Sequence, residues 1–424
     1  MNTIFALSSG APPAGIAVIR ITGPDAGEAL RKLAGKLPEP RKATRAWLSD
    51  EAGNHLDDGL VLWFPGPASV TGEDLAELHL HGGRAVVAAV EGALAAIPGL
   101  RKAQAGEFTR RAFANGRIDL AEAEGLADLL SAETELQRRA AIANASGAIS
   151  AKVEGWREEL LRLSAQIEAV LDFDDEDDVD GLPGDFAASL ATLAGELRSA
   201  LAIPSAEPLR EGFRVALAGP PNAGKSTLFN ALLESEAAIT AEVAGTTRDI
   251  LVRPVAISGV PFTFVDMAGL RDESGDVIEA IGIERAREEI ARADLVLWLG
   301  SEGEGPEEAW EVDAQCDRQD RMAKRGPDFT ISAVTGEGVA GLKAAMVEHA
   351  MSHIPKPGDL ALNRRQRDLV SAAADMLEQA RDQTDPLIVA EHLRQARLSF
   401  DALLGRTATE DVLDALFGRF CIGK

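Results

Sequence analysis

The sequence has few cysteines, no tyrosine and no long apolar run. Its two cysteines among 424 residues, Cys316 and Cys421, are far apart and lack the spacing of metal ligands. A disulfide framework is therefore excluded, and a reducing cytoplasm is the simplest setting. No apolar run approaches the roughly 18 residues that cross a bilayer, and no basic segment precedes a long apolar one after Met1. We therefore expect a cytoplasmic protein without a membrane segment.

Positive charge is also scarce. Lys and Arg number 43 against 68 Asp and Glu, which gives a net charge of −25. An acidic chain repels polyanions at long range, so general nucleic-acid binding is disfavoured. A nucleic-acid partner would need a local basic patch or help from a second protein. The apolar content of 46% is ample for buried cores, and the length predicts about two to four domains.

Residues 219–226 carry the most informative motif. They read Gly-Pro-Pro-Asn-Ala-Gly-Lys-Ser, a phosphate-binding loop of the form G-x-x-x-x-G-K-[ST]. An apolar run of strand type precedes the loop and a helical pattern follows it, so a helix N-terminus also faces the phosphates. Lys225 is expected to reach the β- and γ-phosphates, and Ser226 to hold Mg²⁺. The predicted nucleotide contacts here are Asn222, Ala223, Gly224, Lys225, Ser226 and Thr227.

Three later segments favour a GTPase over a kinase or an ATPase. Residues 243–249 contain Thr246 and Thr247, which could close on Mg²⁺ and the γ-phosphate as a switch segment. A strand then ends in D-x-x-G, where Asp266 is expected to hold the metal's water shell and Gly269 to sense the γ-phosphate. Ser332 and Ala333 follow another strand and are expected at the guanine base. Each segment alone could be a turn at a strand end, but their order after a phosphate loop argues against coincidence.

The chain divides by pattern into four parts. Residues 1–116 alternate strands and helices, and 117–207 become helical. Residues 208–356 alternate again, as in a doubly wound α/β domain, and 357–424 return to helix. The economical interpretation is a helical domain with a nucleotide domain inserted in an exposed loop. The acidic run 172–180 is either a solvated loop between helices, which we favour, or a metal site.

The motifs together resemble those of one family, the tRNA modification GTPases MnmE, also called TrmE. The resemblance rests on P-N-A-G-K-S-T at 221–227, G-T-T-R-D at 245–249, D-M-A-G-L-R at 266–271 and C-I-G-K at 421–424. It extends to residues 19–23, 71–83 and 106–120, and so covers essentially the whole chain. It implies a multidomain α/β fold, with an α+β tetrahydrofolate-binding and dimerisation domain, a helical domain and an inserted Ras-like GTPase domain.

The resemblance also implies a function and partners. Members of the family form a homodimer through their N-terminal domains. They work with the flavoprotein MnmG, and we expect the two proteins to form a heterotetramer. It modifies C5 of the wobble uridine of certain tRNAs by adding a carboxymethylaminomethyl or aminomethyl group. The carbon comes from a tetrahydrofolate derivative, 5,10-methylene- or 5-formyl-tetrahydrofolate, and GTP hydrolysis with Mg²⁺ and K⁺ drives the cycle.

Catalytic roles follow from the same resemblance. Leu270 stands where many small GTPases have a water-orienting glutamine, so another residue must act. The family places a catalytic glutamate at Glu279, which by itself could be an exposed carboxylate in the first turn of a helix. No arginine finger is obvious, and a K⁺ ion replaces it in the family. Its ligands would include Asn222, which could alternatively only shape the loop. The expected Mg²⁺ ligands are Ser226 and Thr247. The expected K⁺ ligands are Asn222, Ala241, Val243 and Thr246. The expected catalytic residues are Lys225, Asn222 and Glu279.

A folate site is implied at Arg20, Glu77 and Arg117. A carboxylate can accept from pterin amino groups and cations can bind the glutamyl carboxylates, although each residue alone could be a surface charge. Cys421, and with it Lys424, could belong to this site, or the terminus could be inert and mobile.

The sequence departs from the family at the guanine-reading N-K-x-D motif. The corresponding residues are Ala314, Gln315, Cys316 and Asp317. Asp317 can accept from the guanine N1 and N2 donors, whereas Ala314 cannot bond the base, a mismatch of roughly 1–3 kcal/mol. Gln315 is not expected to supply the usual lysine's packing and charge. We therefore expect weaker nucleotide affinity with guanine preference retained; Met267, in place of a threonine, is expected only to pack.

Two alternatives remain open at this level. One is a G-protein switch in ribosome assembly, because many relatives share G-T-T-R-D and D-x-A-G; the N-terminal half and the terminal C-I-G-K argue against it. The other is a folate-dependent carrier whose GTPase has decayed, which the altered guanine motif suggests. The intact Lys225, Ser226, Asp266 and Glu279 argue against decay.

Overall fold

The chain forms two compact units. A computed structural model describes residues 2–172, 184–234, 251–266, 287–318 and 323–423. The first unit comprises Met1–Ala127, Asn144–Val153 and Asp401–Lys424, and the second comprises Asp128–Ala143 and Glu154–Phe400. Three separate stretches of sequence therefore build the first unit, because residues from near the C-terminus fold together with the N-terminal half.

The first unit is built on a mixed β-sheet. Among the described residues, six strands pair in the order β3-β4-β5-β2-β1-β6, antiparallel except for β1 with β6. The strands are β1 Thr3–Leu7, β2 Ile16–Thr22, β3 Thr44–Ser49, β4 His55–Phe64, β5 Leu75–His81 and β6 Leu100–Lys102. Polar and apolar residues alternate along β5, and from Ala76 to His81 the apolar side chains point to one face and the polar ones to the other.

One face of this sheet carries the core. Helices α1 (Ala26–Ala34) and α2 (Arg84–Ala95) supply apolar residues to a cluster that includes Ile19, Leu78 and Leu30, all fully buried. Burying a side chain of this size contributes about 1.5–3 kcal/mol. The same strands present Arg20, Glu77 and His79 on the opposite face, because successive strand residues alternate sides.

Helices complete the first unit. The elements here are α3 Glu107–Ala114 and α14 Glu410–Phe417, with α4 Leu120–Ser131 starting in this unit. Phe113 of α3 packs on Phe417 of α14 with ring centroids 6.1 Å apart, within a cluster that also holds Leu120. The last turn of the chain is bound to the sheet, since Ser8 Oγ donates to Gly423 O at 2.8 Å and Ala105 bridges Ile422.

The second unit contains the predicted doubly wound sheet. Six described strands run in the order β12-β11-β10-β7-β9-β8, parallel except for the edge strand β8. They are β7 Phe213–Ala218, β8 Leu251–Ile257, β9 Val260–Asp266, β10 Leu295–Trp298, β11 Trp310–Asp313 and β12 Phe329–Thr330. Strand β7 lies centrally and is almost wholly buried, as its continuous apolar run predicts.

Helices cover this sheet and extend the unit. Helix α9 (Lys225–Glu234) and α11 (Val339–His353) pack on it, with Leu228 and Leu342 in a core that includes Phe213 and Phe264. The remaining helical segments are α5 Glu135–Ala145, α6 Ala148–Asp172, α7 Phe186–Ala202, α8 Glu207–Arg210, α10 at residues 287–292, α12 Arg364–Arg381 and α13 Pro386–Leu403. Arg198 of α7 forms ion pairs with two residues of α12, Glu378 (Nε–Oε1 2.9 Å) and Asp375.

One helical stretch has the length and apolar character of a membrane span. In the part of the chain that the structure describes, this is Phe186–Arg210. Its apolar side packs against α12, with Leu190 and Leu197 buried. A core helix meets the same compositional test, so this stretch does not by itself indicate a membrane segment.

The multidomain α/β fold predicted from sequence is confirmed. An α+β unit and a doubly wound sheet are both present, and helical residues lie before and after that sheet in the chain. The three boundaries of the predicted parts, at residues 116, 207 and 356, stay a prediction. The acidic run lies outside the described residues, apart from Asp172 at the end of α6.

Candidate functional site

The phosphate loop connects the central strand of the second unit to a helix. Strand β7 ends at Ala218 and α9 begins at Lys225, so residues 219–224 form the loop at the carboxyl edge of a parallel sheet. This is the edge where doubly wound folds bind their ligands. The N–H groups in the first turn of α9 have no acceptors inside the helix and point towards the loop.

The loop backbone has the curvature that a phosphate cradle needs. Asn222 adopts φ +61° and Gly224 φ +93°, both in the left-handed region. Asparagine tolerates that region better than most residues, and glycine adopts it freely. A Cβ atom at Gly224 would also lie 3.1 Å from Nε2 of Gln315, which is close contact. Both residues of the motif are therefore explained by the shape of the loop.

Lys225 is held inside the loop by main-chain carbonyl groups. Its Nζ donates to Gly219 O at 2.9 Å and to Pro220 O at 2.8 Å, and the residue is only 7% exposed. The following residues, Ser226 and Thr227, are exposed at the start of α9. A buried ammonium beside exposed hydroxyl groups fits a nucleotide phosphate with its Mg²⁺, a metal that keeps most of its ligands as water and phosphate oxygen.

Strand β9 brings a further motif residue to the same edge. Its last residue, Asp266, pairs in register with Leu217 of β7, immediately before the phosphate loop. The side chain of Asp266 lies outside the described part of the chain. So do several other predicted site residues, which are Ala241, Val243, Thr246, Thr247, Gly269, Glu279 and Lys424; Met267 and Leu270 also lie there. Their roles stay predictions.

Two loops on the other side of β7 form the region predicted to read the base. Ile331 N donates to Asp313 O and Cys316 N donates to Ile331 O, both at 3.0 Å, so the segments after β11 and β12 are joined. Asp317 is exposed here. Ser332 is fully buried, and its hydroxyl accepts from Thr335 N at 3.1 Å, so its side chain stabilises a turn.

Gln315 corrects one sequence-based expectation. Its side chain packs against the phosphate loop, with Cγ 3.5 Å from the position that a Cβ atom at Gly224 would take. Its Nε2 donates to Asn222 O at 3.1 Å. The expectation that Gln315 cannot supply packing in place of lysine is therefore wrong, whereas the positive charge is indeed absent. Sequence alone gave no signal for this contact, because the two residues are 93 positions apart.

The described residues contain no group of three or more His, Cys, Asp or Glu side chains that could hold a metal by themselves. Of the two predicted Mg²⁺ ligands, Ser226 is described, and its exposed hydroxyl at the start of α9 could bind the metal together with nucleotide phosphate oxygens. Asn222, the described member of the predicted K⁺ ligands, is exposed at the loop.

The first unit has a separate cluster of charged side chains on the open face of its sheet. Arg20 Nε donates to Glu77 Oε1 at 2.8 Å across neighbouring strands, and His79 Nε2 lies 3.3 Å from Glu77 Oε2. The Glu77 side chain is 16% exposed. Sequence reasoning missed His79, although its position two residues after Glu77 in a strand places both on one face.

Arg117, the third predicted folate contact, is exposed and lies next to Gly72, since a Cβ there would be 3.3 Å from Arg117 Cγ. Cys421 is exposed as well. The terminal segment is nevertheless ordered by its contacts, because Gly423, at φ +96°, packs directly on Leu7 O where a side chain would collide. Of the two alternatives for the terminus, these contacts disfavour a mobile segment up to Gly423.

A second ion cluster of the first unit was also missed from sequence. Burial would raise the pKa of Glu107, but hydrogen bonds from Arg101, Gln104 N–H and Arg111 lower the pKa to about 2. Arg111, only 7% exposed, also donates to Glu73 at 2.9 Å. These charges hold α3 against the sheet, which is a structural role. Glu107 and Arg111 lie within the stretch 106–120 that carries the family resemblance.

The loop, its helix and the sheet order together define a P-loop nucleotide-binding protein of the G-domain class. Comparison with known proteins identifies the family. A model described as the MnmE helical domain matches residues 120–421, and one described as the GTP-binding protein TrmE N-terminus matches residues 3–117.

Two similar proteins carry the name of this family. A tRNA modification GTPase MnmE of Novosphingobium aromaticivorans is 62% identical, with all of both chains covered. One of Erythrobacter litoralis is 61% identical, again over all of both chains. The G domain of the T. maritima FeoB iron transporter is 27% identical over 32% of this chain and 98% of that chain, with a TM-score of 0.24, too low to bear on the fold.

The chain belongs to the MnmE family, and it is a GTPase of tRNA modification. The resemblance inferred from motifs is thereby confirmed. The ribosome-assembly switch and the carrier with a decayed GTPase, both open at the level of sequence, do not agree with this assignment.

Proposed function

We propose that this chain hydrolyses GTP to drive modification at C5 of the wobble uridine of certain tRNAs. A flavoprotein partner, MnmG, and a one-carbon unit from 5,10-methylene- or 5-formyl-tetrahydrofolate take part. The observation that carries the proposal is the buried Lys225 inside a left-handed phosphate loop, in a chain that matches the family over its full length. The added group is a carboxymethylaminomethyl or aminomethyl substituent.

GTP binds at the carboxyl edge of the second sheet in this proposal. Its phosphates lie in the loop from Asn222 to Thr227, with Thr246, Thr247, Asp266 and Gly269 completing the contacts. The base meets Asp317, Ser332 and Ala333. Asp317 supports guanine because its exposed carboxylate can accept from N1–H and N2–H. The burial of the Ser332 hydroxyl in its turn favours main-chain contacts at that position.

Hydrolysis depends on groups around the γ-phosphate. Glu279 orients the attacking water, and Lys225 and Asn222 stabilise negative charge as it develops. Mg²⁺ would be held by Ser226 and Thr247. K⁺ would be held by Asn222, Ala241, Val243 and Thr246, and would supply positive charge beside the phosphoryl group. Hydrolysis rates that are equal in K⁺ and Na⁺ would contradict this assignment.

The one-carbon donor binds on the open face of the first sheet. Glu77 accepts from the pterin amino groups, and its carboxylate is oriented by contacts with Arg20 and His79. Arg117 meets a glutamyl carboxylate. Cys421 and Lys424 belong to the same site in this proposal. The anchoring of Gly423 to Ser8 supports a fixed position for the terminus.

The partners follow from surface and charge. The chain forms a homodimer through its N-terminal domain, which the exposed Ile16, Trp47 and Leu60 on the face of Arg20 and Glu77 support. Two copies join MnmG as a heterotetramer, and the net charge of −25 implies that the partner supplies much of the tRNA affinity. We place the complex in the cytoplasm.

The test is mass analysis of tRNA nucleosides from cells that lack the chain. The C5-modified wobble uridine should disappear on deletion and return when the parent chain is supplied. A Lys225→Ala chain should not restore it. An unchanged nucleoside profile after deletion would contradict the proposed modification.

A further inference from the structure

The altered guanine motif is connected to the phosphate loop by one side chain. Strands β7 and β11 run parallel with β10 between them, so their carboxyl ends lie at one edge, about 10 Å apart at two strand spacings. Gln315 follows β11 and spans this gap. Its Nε2 donates to Asn222 O at 3.1 Å, and its chain packs on Gly224.

The backbone at both ends of this contact is in the left-handed region. Gln315 has φ +62° and Asn222 has φ +61°. Neither is glycine, so each conformation costs energy that surrounding contacts must offset. The hydrogen bond joins these two residues directly. It therefore favours the turn that aims the loop N–H groups at the phosphates.

A neighbouring cation fixes the orientation of the Gln315 amide. Arg318 Nη1 lies 3.4 Å from Gln315 Oε1, so the amide oxygen faces a guanidinium donor while the amide nitrogen faces the Asn222 carbonyl. A flip of the amide would place Gln315 Oε1 against Asn222 O, and Gln315 Nε2 against the guanidinium of Arg318. The half-buried side chain is thus held in the one orientation that binds the loop.

We propose that Gln315 is a positioning residue for the nucleotide, which holds the phosphate loop in its binding shape through the Asn222 carbonyl. It performs with a neutral amide the bridging that a lysine in N-K-x-D would perform with an ammonium. This inference rests on the proposed binding of GTP in the loop. Its consequence is that the departure from N-K-x-D lowers nucleotide affinity through Ala314, at the base, and not through Gln315.

The experiment compares three full-length variants by titration with the fluorescent nucleotide mant-GDP. Gln315→Met keeps the packing on Gly224 but removes the donor, and Gln315→Lys keeps a donor of similar reach. Gln104→Met, at an exposed position of the first unit, is the matched control. We expect Gln315→Met to raise the dissociation constant about fivefold, the effect of one net hydrogen bond, and Gln315→Lys to stay within twofold of the parent.

Steady-state GTP hydrolysis supplies a second readout. A residue that positions the loop in both the ground state and the transition state should change KM about fivefold with kcat within twofold. Unfolding midpoints of all variants should agree, which separates positioning from a loss of fold. Failure of Gln315→Lys to restore affinity, or affinity of Gln315→Met within twofold of the parent, would overturn the proposal.

The outcome also separates this inference from the proposed function. If Lys225→Ala abolishes mant-GDP binding while Gln315→Met leaves it unchanged, GTP binds in the loop but Gln315 does not position it. If the parent itself does not bind mant-GDP, both the proposed nucleotide site and the role of Gln315 are refuted.

Discussion

The ammonium group of Lys225 donates a 2.9 Å hydrogen bond to the main-chain carbonyl oxygen of Gly219, across the phosphate loop. The loop thereby holds its own cation at the place where a triphosphate would lie. A lysine so placed does not need to be recruited from solvent when the nucleotide binds. Its contribution to transition-state stabilisation is therefore preorganised.

Lys225→Ala should lower kcat/KM for GTP by at least about 100-fold, because removing one preorganised donor to developing charge costs on the order of 10²–10³ in rate. Phosphate release measures the effect. Lys36→Ala, an exposed lysine of the first unit, should hydrolyse GTP as the parent does. Hydrolysis by Lys225→Ala at half the parental rate or more would refute the assignment of this loop.

Asp317→Asn should exchange guanine preference for xanthine preference. The carboxylate accepts from guanine N1–H and N2–H, whereas an amide can donate to the oxygen that xanthine carries at that position. We expect GTP affinity to fall on the order of 10–100-fold and XTP affinity to rise, measured by competition against mant-GDP. Unchanged discrimination, or a parent chain that binds ATP as tightly as GTP, would show that Asp317 does not read the base.

Glu77→Gln should weaken tetrahydrofolate binding about tenfold while leaving the first unit folded. The change removes the charge paired with Arg20 but keeps the shape of the side chain. Calorimetric titration with 5-formyl-tetrahydrofolate measures the effect. Glu28→Gln, which breaks the exposed pair with Arg31, is the control and should bind as the parent does. Equal binding by Glu77→Gln would remove this residue from the site.

His349 predicts a pH dependence of stability in the second unit. Burial, followed by the neighbouring charge of His353, lowers the pKa of His349, and Asp294 opposes this. The centroid of its ring lies 5.7 Å from that of Phe213 and 5.2 Å from that of Trp310. Because the folded-state pKa lies below the unfolded value of about 6.5, the stability from neutral His349 is present above pH 6.5. It is lost as the pH falls through the folded-state pKa.

His349→Phe should reduce that loss, since phenylalanine keeps the ring packing and cannot take up a proton. Urea unfolding of parent and variant at pH 7.5 and 5.5 measures the change. The exposed His55 of the first unit gives the control His55→Phe, which should keep the parental pH dependence in the second unit. Parallel pH curves for parent and His349→Phe would show that His349 does not titrate on unfolding.

The elements with strong local patterns were predictable. Strand β5 is recognisable in the sequence by its alternation of polar and apolar residues, and β7 by its continuous apolar run before the phosphate loop. Strand β6 was not anticipated, since its three residues Leu100–Lys102 are half-buried or exposed and show no period. Its place is given by parallel pairing with β1, nearly 100 positions earlier.

The sequence by itself determined the phosphate loop, the family and the residue types at both sites, because each depends on neighbours within a few positions. Only the tertiary structure decided what those residues contact. The register of β2 with β5 brings Arg20 to Glu77, and the common edge of β7 and β11 brings Gln315 to Asn222. Such contacts join residues far apart in the chain, and strand order and twist, which no local pattern encodes, set their distances.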